Sequence, residues 1–133
     1  MKVFLDVNII MYAAGGPHAH REPSARLMER IVRGDVEAVS DAEILQEILY
    51  RFWRLHQIET AVKMIEQAVQ LIPVLLPVEA SDGVLAASLL SQHPRIEPRD
   101  AVHAAVMLRH RITHLYSYDR HFDAVPGLTR LEP

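Results

Sequence analysis

Cysteine is absent from the chain, which removes disulfide cross-links, thiolate metal sites and a cysteine nucleophile together. Lysine is scarce: Lys2 and Lys63 are the only two, and the other basic residues are arginines, the side chain better suited to bidentate phosphate contacts. No apolar run approaches the length of a membrane span. The N-terminus lacks the charged segment, apolar core and small-residue cleavage site of a secretory signal, so a cytoplasmic location is expected. Repeats, low-complexity tracts and interdomain linkers are also missing. With a formal net charge of -3, the chain does not have the composition of a protein that binds nucleic acid through a broad basic surface. A cation held among carboxylates would reverse the local field, so a nucleic-acid substrate is not excluded.

What is present describes a globular protein. Half of the 133 residues are hydrophobic and 23% are charged, enough for one domain with a real core and too few for two, so residues 1–133 are expected to fold as one unit. Val3-Phe4-Leu5 is an unbroken apolar run of the kind that suits a strand buried on both faces of a parallel sheet. Val7 to Ala14 reads as a short helix stopped by Gly15-Gly16-Pro17, and His18 to Pro23 as a polar loop. A helix is predicted over Ser24–Val32 and ended by Gly34, and a second strand over Val36–Val39. Ser40 and Asp41 are good caps for a long helix whose apolar face is Ile44, Leu45, Ile48, Leu49 and Phe52. Ile58, Val62, Ile65, Val69 and Ile72 repeat that spacing in the next helix, making a helical hairpin. Val74–Val78 is strand-like, with Pro77 marking it as an edge. Helices over about Ser81–Leu90 and Arg99–His110, the latter started by Pro98, and strands over Leu115–Tyr118 and Leu128–Leu131 complete the chain. The alternation argues for an α/β fold: a central, mostly parallel sheet of about four or five short strands flanked by helices, with extra helices between the second and third strands.

Four acids stand out against this outline. Asp6 follows the first strand, where open α/β folds place ligands, Asp119 follows the fourth, and Asp100 lies in the first turn of a helix. Glu47 interrupts an otherwise apolar helix face. Singly, each has an ordinary explanation as a cap, a dipole partner, a turn residue or a solvated side chain. Brought together, they would repel one another unless a cation neutralised them. Ligands that are all oxygen point to Mg2+ or Mn2+, and the matching chemistry is attack of an activated water on a phosphodiester, by one ion or by a pair about 4 Å apart.

Phe4-Leu5-Asp6-Val7-Asn8, Val39-Ser40 followed by Gln46-Glu47-Ile48-Leu49, Arg99-Asp100-Ala101-Val102-His103-Ala104-Ala105, and Ser117-Tyr118-Asp119-Arg120-His121-Phe122-Asp123 with Pro126-Gly127-Leu128 and Pro133 together resemble the PIN-domain nucleases. The likeness is greatest to the toxin subunits of VapBC-type toxin-antitoxin pairs, and it covers essentially the whole chain. It implies a Mg2+- or Mn2+-dependent endoribonuclease with a single PIN-like domain, acting on RNA and held by a cognate antitoxin, and it implies a homodimer. By position, Asp6, Glu47, Asp100 and Asp119 match the family's acidic quartet. Asn8 would assist metal or water placement, and Ser117 would put a hydroxyl near the metal water. Asp123 competes with Asp119 for the place nearer the ions, and Glu43 is a weaker competitor of Glu47. His103 lies on the face of Asp100, either contacting the site or buried with a satisfied hydrogen bond. His18 and His20 are expected in solvent, and Tyr116, Tyr118 and Trp53 at the core or rim.

Two other readings compete. A catalytically silent PIN-fold module would act through protein or RNA contact, and the intact acid set argues against it. A phosphotransfer domain also places aspartate after its first strand, but receiver and haloacid-dehalogenase-like domains need a late lysine, and none follows Lys63.

Overall fold

Val3, Phe4 and Leu5 lie in the central strand of the sheet in the computed structural model, which describes residues 1–133. This strand, β1 (Lys2–Leu5), has Phe4 and Leu5 fully enclosed, which is why after the exposed Lys2 it carries no polar residue until Asp6. The chain continues through α1 (Val7–Ala14), α2 (Arg21–Val32), β2 (Glu37–Asp41), α3 (Glu43–Arg54), α4 (Ile58–Leu71) and β3 (Val74–Leu76). It then forms α5 (Ala80–Gln92), α6 (Pro98–Arg109), β4 (His114–Tyr116), a 3-10 turn (Arg120–Ala124) and β5 (Thr129–Leu131). The strand order is β3-β2-β1-β4-β5, and every neighbouring pair is parallel.

The sheet grows outwards from β1 to β3 and then resumes at β4 on the other side of β1. The crevice outside the carboxyl ends of β1 and β4 is therefore the point where strand order reverses, the place where open parallel sheets take their ligands. Helices cover both faces. Leu5 and Ala38 pack with Ile9, Leu27, Ile44, Ile48, Met64 and Ala68 of α1 to α4, and Phe4, Val39 and Leu115 pack with Met107, Ile112 and Phe122. Ala101, Ala104 and Ala105 have no exposed surface, and their small side chains let α6 lie close against Ala86 and Leu89 of α5. Arg109 locks that pair: its Nε and Nη2 donate to the two oxygens of buried Asp82 at 2.7 and 2.9 Å, and Nη2 also donates to the Pro77 carbonyl.

Several elements depart from the sequence reading. Of the stretch expected as a loop, His18 to His20 lie outside any helix, but Arg21 to Pro23 already belong to α2, because proline is tolerated in a first turn where its missing N–H has no helical partner. Ser40 and Asp41 finish β2 instead of preceding the helix as caps: both are fully buried, and the Ser40 hydroxyl donates to the Leu5 carbonyl at 2.7 Å. Asp41 still accepts from the Glu43 N–H at 3.1 Å, so the capping chemistry survives from a strand position. Strands β3 and β4 are shorter than expected, since Pro77 and the turn at Ser117 end the pairing. The buried side of α4 is Ala61, Met64 and Ala68, whereas Ile58, Val62 and Val69 are exposed. Apolar spacing located this helix correctly and misjudged its rotation, because alanines supply the close packing against α3. The α3–α4 turn uses His56 at φ 54 in place of a glycine.

Candidate active site

Asp6 leaves the end of β1 at the crevice, and its Oδ1 accepts from the Val7 N–H at 2.7 Å, capping α1. Its other oxygen, Oδ2, receives a 2.6 Å hydrogen bond from the hydroxyl of Ser117, which follows β4. The Ser117 hydroxyl also accepts from Asn8 Nδ2 at 3.3 Å and from the Asp119 N–H at 2.9 Å. Ser117 thus pins three residues from opposite ends of the chain. Glu47 enters from α3 and Asp100 from the first turn of α6, and Asp6, Glu47, Asp100 and Asp119 line one cavity of about 190 Å3 with Asn8, Glu97, Arg51 and Arg99.

Behind Glu47 lies a residue pair that orders it. His103 has no exposed surface, and its Nε2 is 3.0 Å from Glu47 Oε2 while its Nδ1 is 2.8 Å from Asp41 Oδ2. Burial alone would disfavour an imidazolium, but the hydrogen bonds and charges of Asp41 and Glu47 outweigh it and hold the His103 pKa well above the ordinary histidine value. A cation bound on both sides fixes the Glu47 carboxylate from the rear and leaves its front to the cavity.

The acids themselves are strongly perturbed. Burial, aided by the charge of Glu47, raises Asp6 to about 6 against the opposing pull of His103 and Ser117. Burial and the neighbouring carboxylates Asp119 and Asp6 raise Asp100 to about 9. Burial also acts to raise Asp119, but the hydrogen bond with Asp100, the His121 N–H and the charges of His121 and Arg130 hold it below the usual range. The directions of these shifts favour the protonated form of Asp100 over that of Asp119. Asp100 Oδ2 is buried with no hydrogen-bond partner, an arrangement that is costly unless a proton or a cation supplies the missing contact. Single ligand atoms of Asp6, Glu47 and His103 lie within 4.8 Å of one another, and so do those of Asp100, Asp119 and His121. Because both His103 nitrogens are already bonded to carboxylates, the free donor set is oxygen-rich, with His121 at its exposed edge.

The structure brings together Asp6, Asn8, Glu47, Asp100, Ser117 and Asp119, with His103 bonded behind Glu47, and leaves Glu43 and Asp123 outside the cavity. Asp123 pairs with Arg130 at 3.0 Å and does not line the cavity, whereas Asp119 does. Glu43 is half-buried and does not line the cavity. His103 takes the buried, fully bonded alternative. His18 and His20, expected in solvent, pack with Tyr12 and Tyr118, and His20 stacks on Tyr118 with ring centroids 3.7 Å apart. Sequence reading passed over Asp41, Glu97, Arg51 and His121. Asp41 had a signal, a carboxylate beside a buried serine at a strand's end, but its partner His103 is 62 positions away.

The model of the PIN domain matches residues 3–128. The chain belongs to the PIN-domain family. A VapC ribonuclease of Mycobacterium bovis is 37% identical over 129 residues, covering 97% of this chain and 98% of that one. Among solved structures, Mycobacterium tuberculosis VapC20, described as a toxin that cleaves the sarcin-ricin loop, superposes with a TM-score of 0.77 at 23% identity over 98% and 99% of the two chains. VapBC2 from Rickettsia felis, bound to a DNA fragment from its promoter, gives a TM-score of 0.75 at 15% identity over 99% and 98%. At those identities the two structures support the PIN fold, and they agree with the all-parallel sheet and its flanking helices.

Proposed function

We propose that this protein is a Mg2+- or Mn2+-dependent endoribonuclease, the toxin of a toxin-antitoxin pair acting in the cytoplasm, with Asp6, Glu47, Asp100 and Asp119 as metal ligands and catalytic acids. The observation that carries the reading is the convergence of these four acids on one cavity with a buried Asp100 oxygen lacking any partner. A donor set dominated by carboxylate oxygens suits a hard divalent cation. Such a cation, when bound, lowers the pKa of a coordinated water and neutralises charge on the phosphoryl oxygens.

The chain's own residues perform the rest. Ser117 and Asn8 fix Asp6, and Asp41 with His103 fixes Glu47, so two acids are held before any ligand arrives. A cation at Asp100 would compete with a proton there, which would make binding pH-dependent. Arg99 lies 3.9 Å from Glu47 at the rim and is placed to meet substrate phosphate. The relatives named as VapC ribonucleases and the VapBC complexes favour RNA as substrate and an antitoxin as partner. No helix is long and apolar enough to cross a membrane.

Mn2+ binding measured by calorimetry on native protein and on Asp100→Asn tests the site without assuming a substrate. Binding in the native protein that is lost in the variant, together with metal-dependent RNA cleavage by the native protein alone, is the expected result. Equal or absent binding in both would remove the metal-site assignment.

A further inference from the structure

The charge beside the acid cavity is basic and comes from two helices. Arg51 and Arg54 lie in the last turns of α3, and Arg99 in the first turn of α6. Arg51 and Arg99 line the acid cavity, and all three arginines line an adjoining hollow of about 290 Å3 with Tyr50 and Leu55. The Tyr50 ring gathers them: the guanidinium carbons of Arg54 and Arg99 lie 5.9 and 5.7 Å from its centroid, and Arg54 Nη1 donates to its hydroxyl at 3.3 Å. Trp53, 61% exposed, stands with its ring centroid 6.1 Å from that of Tyr50. Arg51 and Arg54 form no ion pair, and the carboxylates nearest Arg99, on Glu47 and Glu97, are both 3.9 Å away.

The helix dipole favours arginine at the end of α3. It does not account for a third guanidinium arriving from α6, nor for the exposed Tyr50 ring that Arg54 and Arg99 both approach. On a chain of net charge -3, a cationic ridge bordering an acidic cavity fits a polyanion that the acids alone would repel.

We propose that Arg51, Arg54 and Arg99 form a phosphate-binding ridge, with Tyr50 and Trp53 as a stacking platform, that holds the backbone of unpaired RNA beside the scissile phosphodiester. This rests on the ribonuclease reading and adds the strand's path, along α3 away from the acids towards Leu55. Guanidinium forks bind phosphate oxygens in pairs, and exposed rings accept bases of any identity provided they are not already stacked in a duplex.

The test is binding of a fluorescein-labelled, unstructured 12-nucleotide RNA to Asp100→Asn protein, in which cleavage is silenced, followed by anisotropy across a NaCl series. Arg54→Gln in this background is informative because Arg54 is outside the acid cavity and exposed. Each phosphate contact to a single strand contributes about 0.7 to the slope of log K against log salt. Arg54→Gln is expected to weaken binding several-fold at low salt and reduce that slope by about 0.7, Arg54→Lys to restore the slope, and Trp53→Ala to weaken binding with the slope unchanged. An unaltered affinity and slope in Arg54→Gln, or a loss no larger than that from Arg30→Gln on α2, overturns the ridge. Stronger competition by polyglutamate than by unlabelled RNA would also overturn it and assign the surface to an acidic protein segment. Failure of the ribonuclease reading is separate: native protein would then leave RNA uncut with Mg2+ or Mn2+ while the oligonucleotide still bound the ridge.

Discussion

Replacing His103 with leucine keeps most of its volume while removing the charge and both hydrogen bonds that reach Asp41 and Glu47. Those carboxylates would be left buried and facing each other across an apolar side chain. Breaking a buried ion pair by removing one partner costs about 3–5 kcal/mol. Against a total stability of about 5–15 kcal/mol, and at ~4 °C per kcal/mol for a domain of this size, the melting temperature should fall by roughly 12–20 °C. The assay is urea and thermal unfolding at pH 7 with EDTA, so that no cation offsets the loss. An NMR titration of the native imidazole provides the companion measurement. The folded-state pKa is raised well above the ordinary value of 6.5, so the stabilisation is fully present below about pH 6.5 and is lost as pH rises through the folded-state value. The ring should therefore still report an imidazolium at pH 7.5. A neutral ring at pH 7, together with a loss under about 1 kcal/mol, would refute the reasoning and reduce His103 to a packing residue.

Four further outcomes are expected. Asp100→Asn should abolish metal-dependent cleavage yet leave the metal-free protein as stable or more so at pH 7; a clear fall in its melting temperature with EDTA would contradict the repulsion argument. Because Asp100 is raised to about 9, its contribution to metal-free stability is greatest below the ordinary aspartate range and declines as pH rises towards 9, and unfolding curves of the variant should lack that part of the slope. Mg2+ or Mn2+ should raise the native melting point, with about 2.7 kcal/mol of stabilisation at a concentration one hundred times Kd, and no shift at millimolar ion would count against the site. Ser117→Ala removes the 2.6 Å bond to Asp6, so carboxyl NMR should show Asp6 titrating above its native value of about 6, and cleavage should fall. Arg109→Ala should cost roughly 1–3 kcal/mol by stranding buried Asp82 while leaving Mn2+ affinity unchanged, since the pair lies away from the acids.

The succession of strands and helices and the four acids were legible in the chain because each carries a local mark: an apolar run that stops at an acid, or an acid set in an apolar helix face. Residues that act on those acids were harder to see. Asp41 reads as a cap because local pattern favours one, and only the closure of α6 over β2 turns it into a partner of His103. Ser117 is marked by its place two residues before Asp119, but the bonds of its hydroxyl to Asp6, Asn8 and Asp119 depend on the pairing of β4 with β1. The rotation of α4 was misread for a related reason. Spacing weighs Val62 and Val69 above Ala61 and Ala68, but close helix contact rewards the smaller side chain. Competition between Asp119 and Asp123 was beyond sequence reasoning, since it depends on where the turn after β4 aims each carboxylate and on Arg130 claiming Asp123.

The place of β4 in the sheet has a consequence for the timing of activity. Asp6 ends the central strand, but its hydrogen-bond partner Ser117 and its companion Asp119 follow the fourth strand and are made later. A chain still being translated through α6 would carry Asp6, Glu47 and Asp100 without the wall that closes the cavity or the hydroxyl that aims Asp6. N-terminal folding can proceed during synthesis, yet it cannot complete this site. A fragment that ends in α6 therefore lacks both Ser117 and Asp119, and the four acids can converge only after β4 has paired with β1.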